Sequence, residues 1–494
     1  MNFLQTAPEK KGISSKAISK YIDVLEKAGL STHDIIITRG ENIVFEAYWK
    51  PFCEDFPHRM YSVTKSFVAI AAGFAIDDGL LSLDDTVEKL LPEYMEGDES
   101  EYFKKQTVRN MLMMSTNKKT DNWFIKCRNN EDRVRHYCRS VSSNKPAGTV
   151  WEYDSTGSFV VGAIVERVTG KCLDEYLREK LYRHIGVSDK AHFLKSPGGY
   201  SWGDSALLCT ARDLLKVARF MLDGGKVDGK QLLSADYVKD ATSKLIDNCH
   251  NNFENFDRQG YGYLIWRCRD NSFFFNGMGC QFAICIPDKD MVFIYNGDNQ
   301  GIDDAKKIII DNFFEIVANP AASEELDEDE TAYRELLEKA NNLKLSVARG
   351  EKYSEFEKNV NGKTFKLLEN PMGITDVRLE FNEDGGTLCY TNAQGYKELS
   401  FGRCENDFGM FPQEGYSKDV GSVRVEGHKY RCATSAAWRS ERKLYINCQI
   451  IDDYFGRLHI VLEFTKDLEL GVFMQKTAED FLDEYVGYAT GYLE

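Results

Sequence analysis

The sequence predicts an α+β protein, in which an antiparallel sheet flanked by helices is followed by a smaller β-rich domain. Three observations support this prediction. Residues 62–242 are mostly helical in pattern, strand-length runs broken by Gly, Asn, Asp and Pro follow at 260–295, and period-two alternation marks segments near the C-terminus. The 494 residues, 43% hydrophobic and 28% charged, suit a globular protein of about three domains, or one large domain with an appendage.

The N-terminal region predicts a helix and then a hairpin. Apolar residues recur on one face of the segment Ser15–Ala28, and Gly29 is placed to end the helix. Two β-branched and aromatic runs follow at residues 34–38 and 43–48, and the turn between them is polar and contains glycine. They predict two adjacent strands.

The segment 62–76 is apolar on almost every side, so as a helix it must be buried all round. Gly79 is placed to end it, and the next segment stops at Pro92. The remaining elements expected before the linker are helices at 157–169, 210–222 and 234–242, strands at 260–266, 272–275, 282–286 and 291–295, and a closing helix at 304–317.

A linker is predicted after the closing helix. Pro320 breaks that helix, and six of the seven residues from 324 to 330 are acidic. After one more helix, segments 444–450 and 458–464 alternate with period two, which indicates a small antiparallel sandwich or barrel. The expected parts are a domain at 1–318, an acidic linker and helix at 319–350, and a β-rich domain at 351–494.

Composition argues against several classes of protein. The 62 Lys and Arg residues stand against 78 Asp and Glu, a net charge of −16, so nucleic acid is not an expected partner. We find no secretory signal and no long uncharged apolar stretch, so we expect a cytoplasmic protein without a membrane partner. Thirteen cysteines without a C-x-x-C pair, and eight dispersed histidines, predict reduced thiols and no metal site. We also expect no cofactor.

The clearest chemical motif opens the buried helix. Ser62 and Lys65 are one helical turn apart, so the hydroxyl and the amine share a face. A serine becomes a nucleophile when a base takes its proton, and a lysine among apolar groups can be that base. The same spacing recurs at Ser115 and Lys118, Ser142 and Lys145, and Ser440 and Lys443. Only Ser62 opens a helix that is apolar on all faces, which favours it as the nucleophile.

A second motif places Tyr153 and Ser155 in a polar turn before the helix at 157–169. A tyrosine near a lysine cation can act as general base or general acid. The same residues also fit a helix cap with a packed aromatic ring. The motif therefore supports a catalytic role only in combination with Ser62 and Lys65.

Together these motifs resemble the serine β-lactamase and penicillin-binding-protein family. Within it they resemble the branch that holds class C β-lactamases, DD-peptidases, family VIII esterases and 6-aminohexanoate-dimer hydrolase. The resemblance covers about the first 315 residues. Its motifs follow the family's order at residues 61–66, 75–85, 110–115, 153–155, 211–215, 260–263, 276–281 and 286–288.

The resemblance implies a β-lactamase/transpeptidase-like fold with a helical subdomain. It also implies that Ser62 is the acylated nucleophile and that Lys65 and Tyr153 share the proton transfers. The oxyanion hole that it implies consists of the backbone N–H groups of Ser62 and Gly277. Without the resemblance, the glycine-containing run after residue 275 would read as a strand bulge. Further candidate substrate contacts are Tyr61, Asp121, Trp123, Ser155, Trp202, Asn276 and Gly279. For the aromatic members a packing role is the alternative, and for Asp121 a solvated loop carboxylate.

Two departures from the family's pattern narrow the substrate. Ser155 stands where β-lactamases usually have Asn, and no Lys or His precedes Asn276 to bind a carboxylate. We therefore expect a serine hydrolase acting on a small ester, amide or peptide-like substrate. The alternatives are a β-lactamase or DD-peptidase acting on penicillins or D-Ala-D-Ala peptides, and a catalytically silent binding protein. The C-terminal domain is expected to shape the rim of the cleft or to hold a homo-oligomer.

Overall fold

The computed structural model describes residues 1–95, 101–117, 132–139, 145–251, 255–421, 423–478 and 481–494. The chain forms two compact units. The first contains Met1–Lys344 together with the short segment Lys418–Val423, and the second contains Leu345–Ser417 and Arg424–Glu494. None of the helices in these described ranges is both long and apolar enough to cross a membrane.

The strands of the first unit are, in chain order, β1 (Leu4–Gln5), β2 (Thr32–Arg39), β3 (Asn42–Tyr48), β4 (His58–Arg59), β5 (His192–Phe193), β6 (Leu207–Cys209), β7 (Lys226–Val227), β8 (Lys230–Gln231), β9 (Trp266–Arg267), β10 (Phe273–Gly277), β11 (Gln281–Ile286) and β12 (Met291–Gly297). Seven of them form a sheet in the order β1-β3-β2-β12-β11-β10-β9. Its pairs are antiparallel except for β1 with β3. The predicted antiparallel sheet is confirmed.

The strand predicted at 260–266 is wrong for most of its length. Only Trp266 and Arg267 form a strand there, while Tyr261 makes isolated bridges to Ile246 and Trp266. Gly262 explains the irregular path, because a Cβ atom at this position would lie 2.1 Å from the carbonyl oxygen of Ala241. The close approach of two backbones replaces the regular ladder.

The helices of the first unit are α1 (Ser15–Ala28), α2 (Thr64–Asp77), α3 (Val87–Leu90), α4 (Glu101–Lys104), α5 (Val108–Leu112), α6 (Arg133–Arg139), α7 (Ser155–Thr169), α8 (Leu173–Leu177), α9 (Arg183–Ile185), α10 (Ala211–Leu222), α11 (Ala235–Ala241), α12 (Ala305–Asn312) and α13 (Glu330–Asn342). The shorter 3₁₀ or π-helical turns are Pro8–Lys11, Tyr61–Val63, Pro92–Tyr94, Arg178–Tyr182, Asn255–Arg258, Pro287–Lys289 and Phe313–Ala318. Helices therefore flank the sheet, and most of the described elements between β4 and β9 are helices, as predicted.

Helix α2 lies in the interior of the first unit, as its apolar sequence predicts. Its residues from Thr64 to Ala75 are all buried, and it packs against α7. Gly73 allows the close approach of α11, because a Cβ atom there would lie 2.4 Å from the ring of Tyr237. The hydroxyl of Tyr237 donates a hydrogen bond to the carbonyl oxygen of Ala69 at 2.6 Å. These contacts fix the helix that carries Lys65.

The second unit is a closed β-barrel. Its described residues form one short helix, α14 (Glu357–Val360), and the strands β13 (Thr364–Leu367), β14 (Asp376–Phe381), β15 (Gly385–Asn392), β16 (Gly395–Arg403), β17 (Asp407–Tyr416), β18 (Arg424–Ser440), β19 (Lys443–Ile451), β20 (Phe455–Phe464), β21 (Glu469–Ala478) and β22 (Gly487–Leu493). A parallel pairing of β16 with β18 closes nine strands into the barrel, and β17 pairs outside the ring with β18. Of the two architectures that the sequence left open, the barrel is the observed one.

Candidate active site

The backbone around Ser62 is held in an unusual conformation. Tyr61 has φ +46°, in the left-handed region that aromatic residues rarely occupy. The backbone N–H of Met60 donates to the carbonyl oxygen of Leu207 at 2.9 Å, and the backbone N–H of Leu207 donates to Oγ1 of Thr64 at 3.0 Å. Hydrogen bonds to β6 thus fix the turn on both sides of Ser62, just before α2.

Three predicted residues converge on one oxygen atom. Lys65 Nζ donates a hydrogen bond to Ser62 Oγ at 2.9 Å, and the phenol of Tyr153 donates to the same Oγ at 2.8 Å. Lys65 Nζ also lies 5.1 Å from the centroid of the Tyr153 ring, although the two residues are far apart in sequence. The lysine side chain is buried, with 2% of the residue exposed. The structure therefore brings together Ser62, Lys65 and Tyr153.

Asp204 is a neighbour of this group that sequence reasoning missed. Lys65 Nζ donates to the backbone carbonyl oxygen of Asp204 at 2.7 Å, and only 3% of Asp204 is exposed. Burial raises the pKa of the Asp204 carboxyl, and the positive charges of Lys65 and Arg133 oppose that rise. The carboxyl therefore interacts electrostatically with the candidate base. Asp204 is far from Lys65 in sequence, so no local sequence pattern indicates this contact.

An aromatic cluster orients Tyr153. Trp266 stacks on the Tyr153 ring at 5.7 Å with 24° between the ring planes. Trp151 and Tyr261 contact the same indole edge-on, at 5.5 and 4.9 Å. Sequence reasoning missed Trp266 as a site residue, although it follows the motif at 260–263. The stacking limits the directions in which the Tyr153 hydroxyl can point.

Two candidate substrate contacts, Tyr61 and Trp202, are buried. The guanidinium of Arg59 lies 5.2 Å from the Tyr61 ring centroid and 5.5 Å from that of Trp202. Arg133 lies 4.2 Å from the centroid of Trp202. These contacts give both aromatic residues a packing role, and substrate contact by either one stays a prediction.

The end of β10 lies beside the turn that holds Ser62. A Cβ atom at Gly277 would lie 2.5 Å from the carbonyl oxygen of Met60, so this position requires glycine. Asn276 precedes it on the strand and donates from Nδ2 to Asp257 at 2.9 Å. Gly279 has φ +77° in the connection to β11, and its carbonyl oxygen accepts a hydrogen bond from the N–H of Asn299 at 3.1 Å.

Ser155 is the first residue of α7, the helix that follows Tyr153. Asp154 caps this helix, with its side chain accepting a hydrogen bond from the N–H of Gly157 at 2.8 Å. The capping interpretation of the Tyr153 motif therefore applies to Asp154. The remaining candidate contacts, Asp121 and Trp123, lie outside the described residues.

Another serine and lysine with the same spacing lie in a different structural context. Ser440 and Lys443 face each other across the hairpin between β18 and β19, and Lys443 pairs with Glu463 at 2.8 Å. Neither lies on a buried helix. Wherever the structure describes the chain, it shows no cluster of three His, Cys, Asp or Glu side chains arranged to hold a metal ion.

Comparison with known proteins defines the class. Residues 19–308, more than half of the chain, match the Beta-lactamase family. The fold and the matches place the chain in the superfamily of serine β-lactamases and penicillin-binding proteins. The chain belongs to the Beta-lactamase family.

Among the relatives, the 6-aminohexanoate-dimer hydrolase of Paenarthrobacter ureafaciens is 27% identical over 222 residues, which cover 42% of this chain and 56% of that protein. The chain thus spans about half the length of this curated relative. A proposed 6-aminohexanoate-dimer hydrolase from Bacillus anthracis has a similar structure, with a TM-score of 0.54, 17% identity and coverage of 66% of this chain and 89% of that one. SurE has a TM-score of 0.51, 14% identity and coverage of 94% and 98%. The two structures show a shared fold.

Proposed function

We propose that the protein is a serine hydrolase that cleaves an ester or a small amide through an acyl-enzyme on Ser62. The observation that carries this proposal is the pair of hydrogen bonds at Ser62 Oγ, from Lys65 Nζ at 2.9 Å and from the Tyr153 hydroxyl at 2.8 Å. Two proton-transfer groups at hydrogen-bond distance from one hydroxyl are what nucleophilic activation of a serine needs.

In the first half of the reaction, one member of the Lys65 and Tyr153 pair is unprotonated, and Ser62 Oγ attacks the substrate carbonyl carbon while its proton passes to that member. The backbone N–H groups of Ser62 and Gly277 stabilise the negative charge that develops on the carbonyl oxygen. The C–O or C–N bond then breaks, and the pair returns the proton to the leaving group. The acyl group remains as an ester on Ser62 Oγ.

In the second half, a water molecule attacks the acyl carbon and gives its proton to the same pair. The bond between the acyl carbon and Ser62 Oγ breaks, Oγ recovers a proton, and the carboxylic acid leaves. The buried position of Lys65 and the stacking of Trp266 on Tyr153 keep the pair in place through both halves. Fixed geometry of this kind contributes to catalysis because no group has to reorganise during the reaction.

The neutral end of β10 supports the choice of substrate. Asn276 and Gly277 carry no charge, and the nearby cation, Lys306, donates to Asp257 at 2.6 Å. Among the residues that the structure describes, we therefore find no cation at the end of this strand that is dedicated to a substrate carboxylate. Esters and neutral amides fit this environment better than penicillins, which carry a carboxylate.

The test is pre-steady-state kinetics with a p-nitrophenyl ester and, separately, with a penicillin. We expect a burst of about one p-nitrophenol per chain followed by slower turnover, because acylation releases the phenol before water removes the acyl group. Ser62→Ala should abolish both phases, and the matched control Ser440→Ala should retain them. Faster turnover of the penicillin would favour the β-lactamase alternative, and no reaction with either compound would favour a silent binding protein.

A further inference from the structure

The turn that carries Tyr153 runs beside the segment that follows α5, and two contacts join them. The backbone N–H of Glu152 donates to the carbonyl oxygen of Met114 at 2.9 Å, and the Thr116 hydroxyl donates to Oδ2 of Asp154 at 2.8 Å. Tyr153 lies between the two contacts in sequence. Asp154 is thus a titratable residue next to a proposed proton-transfer group, yet it has no part in the reaction described above.

The carboxyl of Asp154 does more than cap α7. The capping bond uses Oδ1, which accepts from the N–H of Gly157 at 2.8 Å. A serine or asparagine side chain would supply such a bond without burying a charge. Asp154 is 2% exposed, and burial raises the pKa of its carboxyl, while the hydrogen bonds from Gly157 and Thr116 oppose that rise. Its second oxygen binds Thr116, 38 positions away, which a cap alone would not require.

The segment that contains Thr116 is itself held firmly. Residues 114–117 are all buried, and the carbonyl oxygen of Ser115 accepts a hydrogen bond from the N–H of Gly148 at 2.7 Å. Met114 has φ +51°, in the left-handed region that residues with a side chain rarely occupy. A backbone of this kind persists only where the surrounding contacts hold it in place. Met114 and Thr116 are therefore fixed points for the turn that carries Tyr153.

The two contacts complement the stacking of Trp266 on Tyr153. Stacking limits the tilt of the ring, whereas the contacts at Glu152 and Asp154 fix the backbone from which the ring projects. The phenol oxygen is at the far end of a long side chain, so a small rotation of the turn moves it further than it moves the backbone. The 2.8 Å hydrogen bond to Ser62 Oγ therefore depends on both supports.

We propose that Asp154 and Thr116 position Tyr153, because the hydrogen bond between their side chains holds the turn so that the phenol stays at hydrogen-bond distance from Ser62 Oγ. Both are positioning residues, since each acts through Tyr153. This inference rests on the proposed function, because it assumes that Tyr153 transfers a proton when Ser62 is acylated. A cap of α7 would work without the Thr116 hydroxyl, so removal of that hydroxyl separates positioning from capping.

The experiment measures the burst of p-nitrophenol from a p-nitrophenyl ester at increasing ester concentration. Thr116→Val replaces the hydroxyl by a methyl group of similar size and leaves the bond from Gly157 to Asp154 that caps α7. The maximal rate constant of the burst should fall about tenfold, with no change in the ester concentration that gives half of it. This rate constant does not depend on the fraction of chains that are folded.

Three further variants accompany this measurement. Thr116→Ser keeps a hydroxyl and should recover most of the rate. Asp154→Ser keeps an acceptor for the N–H of Gly157 but is too short to reach Thr116, so it should reproduce the loss. The matched control is Thr169→Val, which removes a hydroxyl that donates to the carbonyl oxygen of Val165 at 2.7 Å in the last turn of the same helix. This control should leave the burst unchanged.

A double-mutant cycle tests whether the effect passes through Tyr153. The rate constant for labelling of Ser62 by a fluorophosphonate is followed by intact mass, which also records slow reactions. Thr116→Val should slow labelling in the chain that has Tyr153 and have no further effect in Tyr153→Phe. A general disturbance of the site, which would also displace Lys65, would slow labelling in both.

The outcomes separate the two proposals. If Thr116→Val and Asp154→Ser leave the burst unchanged, or if Thr116→Val slows labelling equally with and without Tyr153, the inference about positioning is wrong. The proposed function then stands as long as Ser62→Ala abolishes the burst. If the wild-type chain shows neither a burst nor labelling that depends on Ser62, both are wrong.

Discussion

Ser62 and Lys65 lie one helical turn apart at the start of α2, whereas Asn276 and its partners Asp257 and Lys306 come from three separate elements of the first unit. The first arrangement follows from local helix geometry, since residues at i and i+3 share a face. The second exists only because the folded chain brings distant segments together. A pair such as Ser62 and Lys65 can therefore be found by spacing, while contacts between distant segments have no local signature.

The largest expected effect tests the local arrangement. Lys65→Met removes one of the two groups that can take the Ser62 proton, and kcat/KM for a p-nitrophenyl ester should fall about 1,000-fold. Lys443→Met is the matched control, because Lys443 has the same spacing from a serine but lies on a β-hairpin with Glu463 as its partner. A loss below tenfold in Lys65→Met, or an equal loss in both variants, would contradict the assignment of Lys65.

Gly277→Ala tests the strand side of the site. The added methyl group would lie 2.5 Å from the carbonyl oxygen of Met60, so the strand end must move away from Ser62. Losing the N–H of Gly277 as an oxyanion donor should reduce kcat about 100-fold. Gly409→Ala, where the nearest atom lies 3.8 Å away, should leave kcat unchanged. Full activity of Gly277→Ala in steady-state kinetics would remove this residue from the oxyanion hole.

Trp266→Leu tests whether long-range packing controls the chemistry. Without the ring that stacks on Tyr153, the phenol should lose its fixed direction, and kcat should fall about tenfold with little change in KM. Trp266→Phe keeps an aromatic surface and should recover most of the activity. A change in KM alone would instead point to a contact between Trp266 and the substrate.

Substitution of Asp34 in β2 should have the smallest effect on activity, but it should change the pH dependence of stability. Burial raises its pKa from 3.8 to about 7, although Asn296 donates to the carboxyl at 2.8 Å. The folded chain thus holds a proton that the unfolded chain releases near pH 4, so the free energy of unfolding should fall by about 3 kcal/mol as the pH rises from 4 to 8.

Urea denaturation at pH 5 and pH 8 measures this dependence. Asp34→Asn keeps a neutral acceptor for Asn296 and should lose this part of the pH dependence, and Asp189→Asn at an exposed position should keep it. Equal pH dependence in wild type and Asp34→Asn would show that the buried carboxyl is ionised without cost.

Much of the fold could be predicted because its signals are local. Helix α1 has the predicted bounds, Ser15–Ala28, since its apolar face and its terminal Gly29 both lie within the segment. The strand prediction at 260–266 failed, because the backbone of Ala241 against Gly262 cannot be read from that segment. Closure of the second unit as a barrel depends on the pairing of β16 with β18, two strands separated in sequence by β17.

Within the candidate site, too, only residues with a local sequence signal could be predicted. Ser62, Lys65 and Tyr153 could be singled out from motifs, and the structure brings them together. Asp204 and Trp266 could not be singled out, because each contacts a residue far away in sequence: Lys65 and Tyr153, respectively. The glycine at position 277 was visible in the sequence, but the carbonyl oxygen that requires it was not.

Trapping the acyl-enzyme on Ser62 tests the proposed function directly. The wild-type chain would be quenched with acid during turnover of a p-nitrophenyl ester, digested and mapped by tandem mass spectrometry. We expect one acyl group per chain, located on Ser62 and missing from Ser62→Ala. An acyl group on another residue, or sustained turnover with no acyl group on Ser62, would contradict it.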